Sequence, residues 1–189
     1  MFWTTQDFWP YGPQHGLIIT DMQEMSWHGV LNWEFRIKKL TQNIQRHLRA
    51  CLAQWGPVVI IEYRERGPTI EPIRKIIDTA REQVIILQKN NWWLFTRNDP
   101  ERKKQIEYFS QAQSSWTRFT EWGVNTSICC LSVAISLLER QVGVRVLAGI
   151  TMNIWDNSLK SIVGFFKKYP GLLDLPWNPE KKESLLDYL

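Results

Sequence analysis

The sequence predicts an α/β fold, a three-layer, doubly wound and mainly parallel sheet of five to six strands with helices on both faces. Short apolar, β-branched runs alternate along the chain with amphipathic segments of about a dozen residues, which is typical of parallel strands joined by helical crossovers. The 189 residues, of which 44% are hydrophobic and 22% charged, suit one globular domain with a substantial core.

The chain divides into three parts by composition. Residues 1–15 are aromatic and punctuated by Pro and Gly, which indicates an arm packed over the domain. Residues 16–175 carry the alternating pattern and form the predicted domain. Residues 176–189 form a tail whose leucines suit either a short docking helix at a subunit contact or a frayed end.

Five strands are predicted in chain order. Three of them are apolar and rich in Val and Ile, as buried strands are, and they span residues 16–20, 58–61 and 83–88. Residues 116–122 occupy the place of a fourth strand but are far more polar than the others. Residues 144–148 form the predicted fifth strand.

Helices are predicted between the strands from apolar positions at helical spacing and from start and stop signals. They span residues 31–55, 69–81, 98–111, 129–141 and 157–168. Gly56 and Pro57 end the first helix, and Thr69 is expected to cap the second.

Three chemically capable side chains lie directly after predicted strands. Asp21 follows the first strand, Lys89 follows the third, and Cys129 lies in the first turn of the helix after the fourth. In a Rossmann-like sheet the carboxyl ends of the strands meet at one edge, so these residues are expected to lie together. Each also has a plainer explanation as a turn acid, a surface lysine or a packed cysteine. Their joint placement favours a nucleophilic site.

Three motifs carry a resemblance to a known family. They are an apolar strand ending in Asp21 with Gln23 two positions on, Lys89 with Phe95 six positions on, and Gly-Val-Asn-Thr-Ser-Ile-Cys at residues 123–129. In these motifs the chain resembles a divergent member of the isochorismatase-like cysteine hydrolase family, whose relatives include nicotinamidases and N-carbamoyl amidohydrolases. The resemblance extends from residue 17 to about residue 173.

The resemblance implies a catalytic triad. Cys129 would be the nucleophile, Asp21 the base that takes its proton, and Lys89 the cation that holds the thiolate. The family's cis peptide would fall between Val124 and Asn125, in a turn that aims backbone N–H groups into an oxyanion hole. The implied reaction is hydrolysis of a small amide, carbamoyl or related C–N substrate through a thioester-type intermediate.

The expected partner is a small-molecule substrate bound near the same strand ends. The side chains expected to contact it are Gln23, Trp27, Tyr63, Arg64, Trp92, Trp93 and Phe95. Aromatic walls favour a planar or apolar group, and the same side chains equally suit the core.

No metal or other cofactor is predicted. Nicotinamidases hold a metal through histidines after the second strand, whereas residues 62–66 here read Glu-Tyr-Arg-Glu-Arg. The histidines of the chain, His15, His28 and His47, have no matching spacing. We therefore expect a metal-independent enzyme. The short stretch between the second and third strands also predicts a lid that is reduced or completed by another subunit.

Membrane and nucleic-acid partners are not favoured. No apolar run approaches the ~20 residues of a membrane helix, and the net charge of +4 is modest, with its basic residues scattered over helices. Three cysteines without zinc spacing and an N-terminus without a signal-peptide pattern predict a cytoplasmic protein. The resemblance implies a homo-oligomer, a dimer or tetramer. The alternative to an enzyme is a non-catalytic ligand-binding or protein-interaction member of the same fold.

Overall fold

The structure, a computed structural model, describes residues 11–24, 33–91, 93–115, 117–124 and 129–146. Within these ranges strands and helices follow one another as β1 (His15–Thr20), α1 (Trp33–Ala53), β2 (Val58–Tyr63), α2 (Glu71–Ile77), β3 (Val84–Lys89), α3 (Arg102–Ser114), β4 (Arg118–Gly123), α4 (Leu131–Leu138) and β5 (Gly143–Val146). The predicted helix at 157–168 and the tail at 176–189 lie outside the described residues.

The described strands form one parallel sheet in the order β3-β2-β1-β4-β5. The predicted doubly wound α/β fold is thus confirmed. The chain winds outward from β1 through β2 to β3 and then returns to β4 on the other side of β1. The gap between the carboxyl ends of β1 and β4 is therefore the switch point of the sheet, where ligands of such folds bind.

Alternate strand residues cover two separate cores. Leu17 and Ile19 of β1 belong to a core with α1 and α2, while Ile18 belongs to a core with α3 and α4. β1 and β2 are buried on both faces and are correspondingly rich in Ile and Val. Among the described residues, no helix is both long and apolar enough to cross a membrane.

The polar fourth strand is confirmed, and its polar side chains pair internally. His15 Nε2 and Thr120 Oγ1 lie 2.9 Å apart, and the Thr20 hydroxyl donates to Glu121 Oε1 at 2.7 Å. Thr120 and Glu121 are both buried. The polarity that distinguished this strand in the sequence therefore reflects hydrogen bonds with β1 and not exposure to water.

Some element boundaries differ from the predictions. Thr69 does not cap α2, because Ile70 occupies the N-cap position. The backbone N–H of Thr69 donates to Glu62 Oε1 at 2.7 Å. α3 begins at Arg102 and not at residue 98. The residues before it form a loop that is held by the side chain of Asp99.

His47 makes the stability of the fold dependent on pH. Its ring lies 4.4 Å from that of Trp122, and its Nδ1 is 2.9 Å from the Tyr11 hydroxyl. Burial, helped by the charge of Arg46, lowers the pKa of His47 to about 4. The unfolded chain takes up this proton near pH 6.5, so the wild type is expected to lose about 3 kcal/mol of unfolding free energy between about pH 6.5 and pH 4.

Urea unfolding across this pH range tests the expectation, with His47→Gln as the comparison. The variant lacks the titrating ring, so its unfolding free energy should fall less steeply than that of the wild type. If the unfolding free energies of the two proteins changed with pH in parallel, His47 would not be the group responsible for the pH dependence.

Candidate active site

A buried ion pair lies at the carboxyl ends of the central strands. Lys89 Nζ, at the end of β3, lies 3.0 Å from Asp21 Oδ2, directly after β1. The side chains are 0% and 1% exposed, respectively. Lys89 is therefore not a surface lysine, and its side chain reaches beneath the end of β2 to the acid beyond it.

The pair keeps Lys89 charged. Burial lowers the pKa of Lys89, but the carboxylate of Asp21 and the nearby Cys129 outweigh it and leave that pKa above its ordinary value. Apart from their contact with each other, neither the carboxylate oxygens of Asp21 nor Lys89 Nζ has a hydrogen-bond partner in the described part of the chain. Both groups thus retain capacity to bind a reacting thiol or a substrate atom.

The backbone of Asp21 is held in an uncommon conformation. Its φ is 53°, in the left-handed region that non-glycine residues seldom adopt. Its N–H donates to Ile61 O at 2.9 Å, and its own carbonyl accepts from Gln23 N at 2.8 Å. These bonds turn the chain sharply at the strand end and fix the carboxylate over the sheet edge.

Cys129 and Cys130 lie in a π-helical turn that leads into α4. Cys129 is 5% exposed, whereas Cys130 is fully buried in the core shared with α3 and α4. Burial raises the pKa of Cys130 well above its ordinary value, and Glu121 and Cys129 raise it further. Cys130 thus packs as expected. Lys89 interacts electrostatically with Cys129 and, more weakly, with Cys130.

A close backbone contact joins Asp21's strand to the turn before Cys129. Gly123, at φ 155°, packs so closely on β1 that an added Cβ would lie 2.1 Å from Thr20 O. The same carbonyl accepts the backbone N–H of Val124 at 3.2 Å. Val124 is buried, while Asn125, its predicted partner in the cis peptide, lies outside the described residues.

Gln23 ties the loop after β2 to the end of β1. Its amide nitrogen donates to the carbonyls of Tyr63, at 2.9 Å, and Gly67, and its oxygen accepts Tyr63 N at 2.8 Å. The side chain is fully buried. The amide of Gln23 thus hydrogen-bonds to backbone groups, and it holds the loop after β2 in place at the end of β1.

The other predicted substrate contacts are distributed around the same edge. Arg64 donates to Asn90 Oδ1 at 2.8 Å, and the ring of Tyr63 lies 5.0 Å beneath the Arg66 guanidinium. Trp93 is 46% exposed. Phe95 packs edge-on against Phe109 and beneath Arg140, towards the core of α3 and α4. Trp27 and Trp92 lie outside the described residues.

Two buried residues that the sequence did not single out shape the loop after Lys89. Asp99 accepts the backbone N–H groups of Asn90 and Glu101. Gln105 donates to Gln88 O at 2.6 Å and accepts Phe95 N at 2.9 Å. The only sequence signal was an Asp before a Pro, which reads as a helix start. Their clamp fixes the end of β3 and hence Lys89.

The end of β2 and the residues that follow it do not fit a metal. Glu62 is buried and accepts the Thr69 N–H, and Arg64 and Arg66 bring positive charge. Across the described residues, no three His, Cys, Asp or Glu side chains group as metal ligands. The described residues therefore offer no set of metal ligands at this edge of the sheet.

A groove of about 640 Å³ lies elsewhere, between α1 and α2. Its lining includes Arg49, Leu52, Lys75 and Ile76 but none of the predicted triad. The groove opens on the helical layer opposite to α3 and α4. It is therefore separate from the candidate active site.

Known structures share this fold. A nicotinamidase, SaPncA from Staphylococcus aureus, aligns with a TM-score of 0.65 and 13% identity over 86% of this chain and 98% of its own. The MAR1 ribonuclease from Caenorhabditis elegans aligns at 0.62 and 16% identity over 83% and 74%. The Escherichia coli YcaC gene product, described as an octameric hydrolase of unknown specificity, aligns at 0.59 and 14% identity over 85% and 74%.

The similarity to known proteins is found by comparison of structures and not by comparison of sequences. No protein-family model and no curated protein matches the sequence. The predicted resemblance to isochorismatase-like hydrolases is thus confirmed at the level of the fold, which the nicotinamidase shares over nearly its whole length.

Proposed function

We propose that this protein is a metal-independent cysteine hydrolase that cleaves a small amide, carbamoyl or related C–N bond. The observation that carries the proposal is the fully buried Lys89–Asp21 pair at the carboxyl ends of the central strands, whose lysine interacts electrostatically with Cys129 and, more weakly, with Cys130. Burying two charges is unfavourable unless they are paired. Stability alone does not require such a pair to be buried, so its burial at the strand ends favours a role in chemistry. The fold shared with a nicotinamidase supports the same reaction class.

The residues can move a proton through a complete cycle. Asp21 takes the proton of the Cys129 thiol, and the thiolate, stabilised by Lys89, attacks the carbonyl carbon. The tetrahedral intermediate collapses as the C–N bond breaks, and Asp21 returns the proton to the leaving nitrogen. Water then attacks the thioester while Asp21 accepts its proton, the C–S bond breaks, and Asp21 returns the proton to the departing Cys129 sulfur as the acid product is released. The backbone N–H of Cys129 is a candidate oxyanion donor.

Alkylation with iodoacetamide tests the nucleophile without knowledge of the substrate. The wild type is expected to gain one carbamidomethyl group at Cys129, located by peptide mass spectrometry. Burial raises the pKa of the Cys51 thiol to about 12, and Cys130 is fully buried, so both should react far more slowly. Cys129→Ala should lose the fast label and lower the release of ammonia from a panel of small amides by at least ~1,000-fold.

Cys130→Ala is the matched control, because it removes the neighbouring thiol and leaves the proposed nucleophile in place. It should keep both the label and the activity. Labelling confined to Cys51 would contradict the proposal and favour the non-catalytic alternative, a ligand-binding or interaction protein on this fold.

Substrate and assembly extend the same proposal. We infer that Tyr63, the last residue of β2, Arg64 directly after it and Trp93 after β3 supply one cation and two rings for a small planar molecule. A homo-oligomer stays a prediction, supported by the octameric YcaC product, and light scattering of the purified protein would measure it. The cytoplasmic location likewise stays a prediction.

A further inference from the structure

A second carboxyl group lies beneath the candidate site. Glu121 of β4 is 0% exposed. Its Oε1 accepts the Thr20 hydroxyl at 2.7 Å, and its Oε2 has no hydrogen-bond partner in the described ranges. The alternation of the strands places Thr20, Glu121 and Lys89 on the same face of the sheet, the one that α3 and α4 cover.

The titratable groups around Glu121 come from three elements. Asp21 after β1, Lys89 on β3 and Cys130 before α4 interact with it electrostatically, and Val146 of β5 is its cross-strand neighbour. Burial raises the pKa of Glu121 well above its ordinary value; the Thr20 hydrogen bond and Lys89 oppose that rise, and Asp21 adds to it.

The proposed reaction needs a balanced charge. With Glu121 neutral, Lys89 faces one negative charge throughout, first on Asp21 and then on the Cys129 thiolate after proton transfer. With Glu121 ionised, the same ammonium would face two. Like charges in a buried site disfavour each other's ionisation, so an ionised Glu121 would oppose formation of the thiolate.

We propose that Glu121 is a positioning residue, held as a neutral carboxylic acid, that anchors Thr20 beside Asp21. Because it is neutral, it does not compete with Asp21 and Cys129 for the positive charge of Lys89. Anchoring of Thr20 also positions Asp21, because the two residues are joined by a peptide bond. Thr20 is joined through its hydroxyl to Glu121 and through its carbonyl to Val124 N, so it links the acid to the turn before the thiol. The catalytic part of this inference rests on the proposed function, whereas the protonation state does not.

The protonation state is tested by urea unfolding of the wild type and Glu121→Gln from about pH 4.5 to pH 8. An unfolded glutamate loses its proton near pH 4.3, so a folded state that retains it loses stability as the pH rises. The unfolding constant of the wild type, relative to the variant, should therefore rise by up to about tenfold per pH unit. A ratio that stays constant over this range would overturn the neutral assignment.

The effect on the thiol is tested by the pH profile of Cys129 alkylation. The amide mimics the neutral acid, so Glu121→Gln and the wild type should give superimposed profiles between about pH 5.5 and pH 7.5. A profile displaced to lower pH by about one unit or more would show that Glu121 is ionised in the wild type and overturn the proposal. Glu62→Gln removes a buried carboxyl from the opposite face of the sheet and should leave the profile unchanged.

The anchoring is tested at Thr20. Thr20→Val removes the hydroxyl and should slow alkylation of Cys129 about tenfold, and Thr20→Ser, which keeps it, should restore the rate. Equal rates in the two folded variants would overturn the positioning role. If wild-type Cys129 is not alkylated at all, the proposed function fails, and the unfolding experiment still decides the state of Glu121.

Discussion

Replacing Lys89 with methionine is expected to lower the free energy of unfolding by about 3–5 kcal/mol and to abolish the proposed hydrolysis. The substitution keeps much of the side-chain volume but leaves the Asp21 carboxylate, 1% exposed, without the ammonium 3.0 Å away. Removing one partner of a buried pair costs this much because the other charge stays desolvated. Urea unfolding at pH 7 measures the loss, and iodoacetamide labelling of Cys129 measures the effect on the thiol.

Two further variants isolate the cause. Lys89→Met combined with Asp21→Asn removes both charges, so it should recover most of the stability while remaining inactive. Lys75→Met breaks the 2.8 Å pair with Glu71, whose side chains are 73% and 75% exposed, and should leave the unfolding midpoint unchanged. A Lys89→Met protein as stable as the wild type would show that the pair is not buried in solution.

Replacing Gly123 with alanine is expected to cost about 3 kcal/mol or more of unfolding free energy and to slow Cys129 alkylation strongly. The new Cβ would lie 2.1 Å from Thr20 O and 2.9 Å from Thr20 C, and both are backbone atoms of a buried central strand. Relief requires β1 and β4 to separate, which strains the core. It would also displace Asp21 from the turn that carries Cys129.

Gly12→Ala is the matched control for this prediction. An added Cβ at Gly12 meets nothing within 4 Å, so this substitution should be neutral or slightly stabilising through the entropy of the unfolded chain. Urea unfolding of the two variants side by side makes the comparison. Equal stability of both would mean that β1 and β4 do not approach as closely as the structure indicates.

Much of the architecture was predictable because hydrophobic periodicity is a local signal. The short apolar runs at 16–20 and 58–61 predict buried strands, and the helices between the strands predict parallel crossovers. Residues that directly follow such strands must share one sheet edge, which is why Asp21, Lys89 and Cys129 could be grouped before any coordinates.

The places where prediction failed depend on contacts between distant residues. The helix start at 98 was wrong because Asp99 bonds the loop after β3. Thr69 was wrong as a cap because the helix begins one residue later, with Ile70 in the N-cap position. The amide of Gln23 donates to backbone carbonyls 40 and 44 residues away, which its sequence context did not indicate, and its contact with substrate stays a prediction. Local patterns carry no information about such partners.

The amino-acid order alone predicted the parallel sheet and the edge at which chemistry is expected, because both follow from spacing along the chain. The preference for Cys129 over Cys130 came from the family motif at residues 123–129 and stays a prediction. Only the tertiary structure decided that Lys89 and Asp21 are a fully buried pair, that Gly123 must lack a side chain, and that Glu121 is a buried acid beneath the site. These depend on which strands become neighbours. Burial and charge are set by atoms that are distant in sequence, so their energies appear only when the sheet has formed.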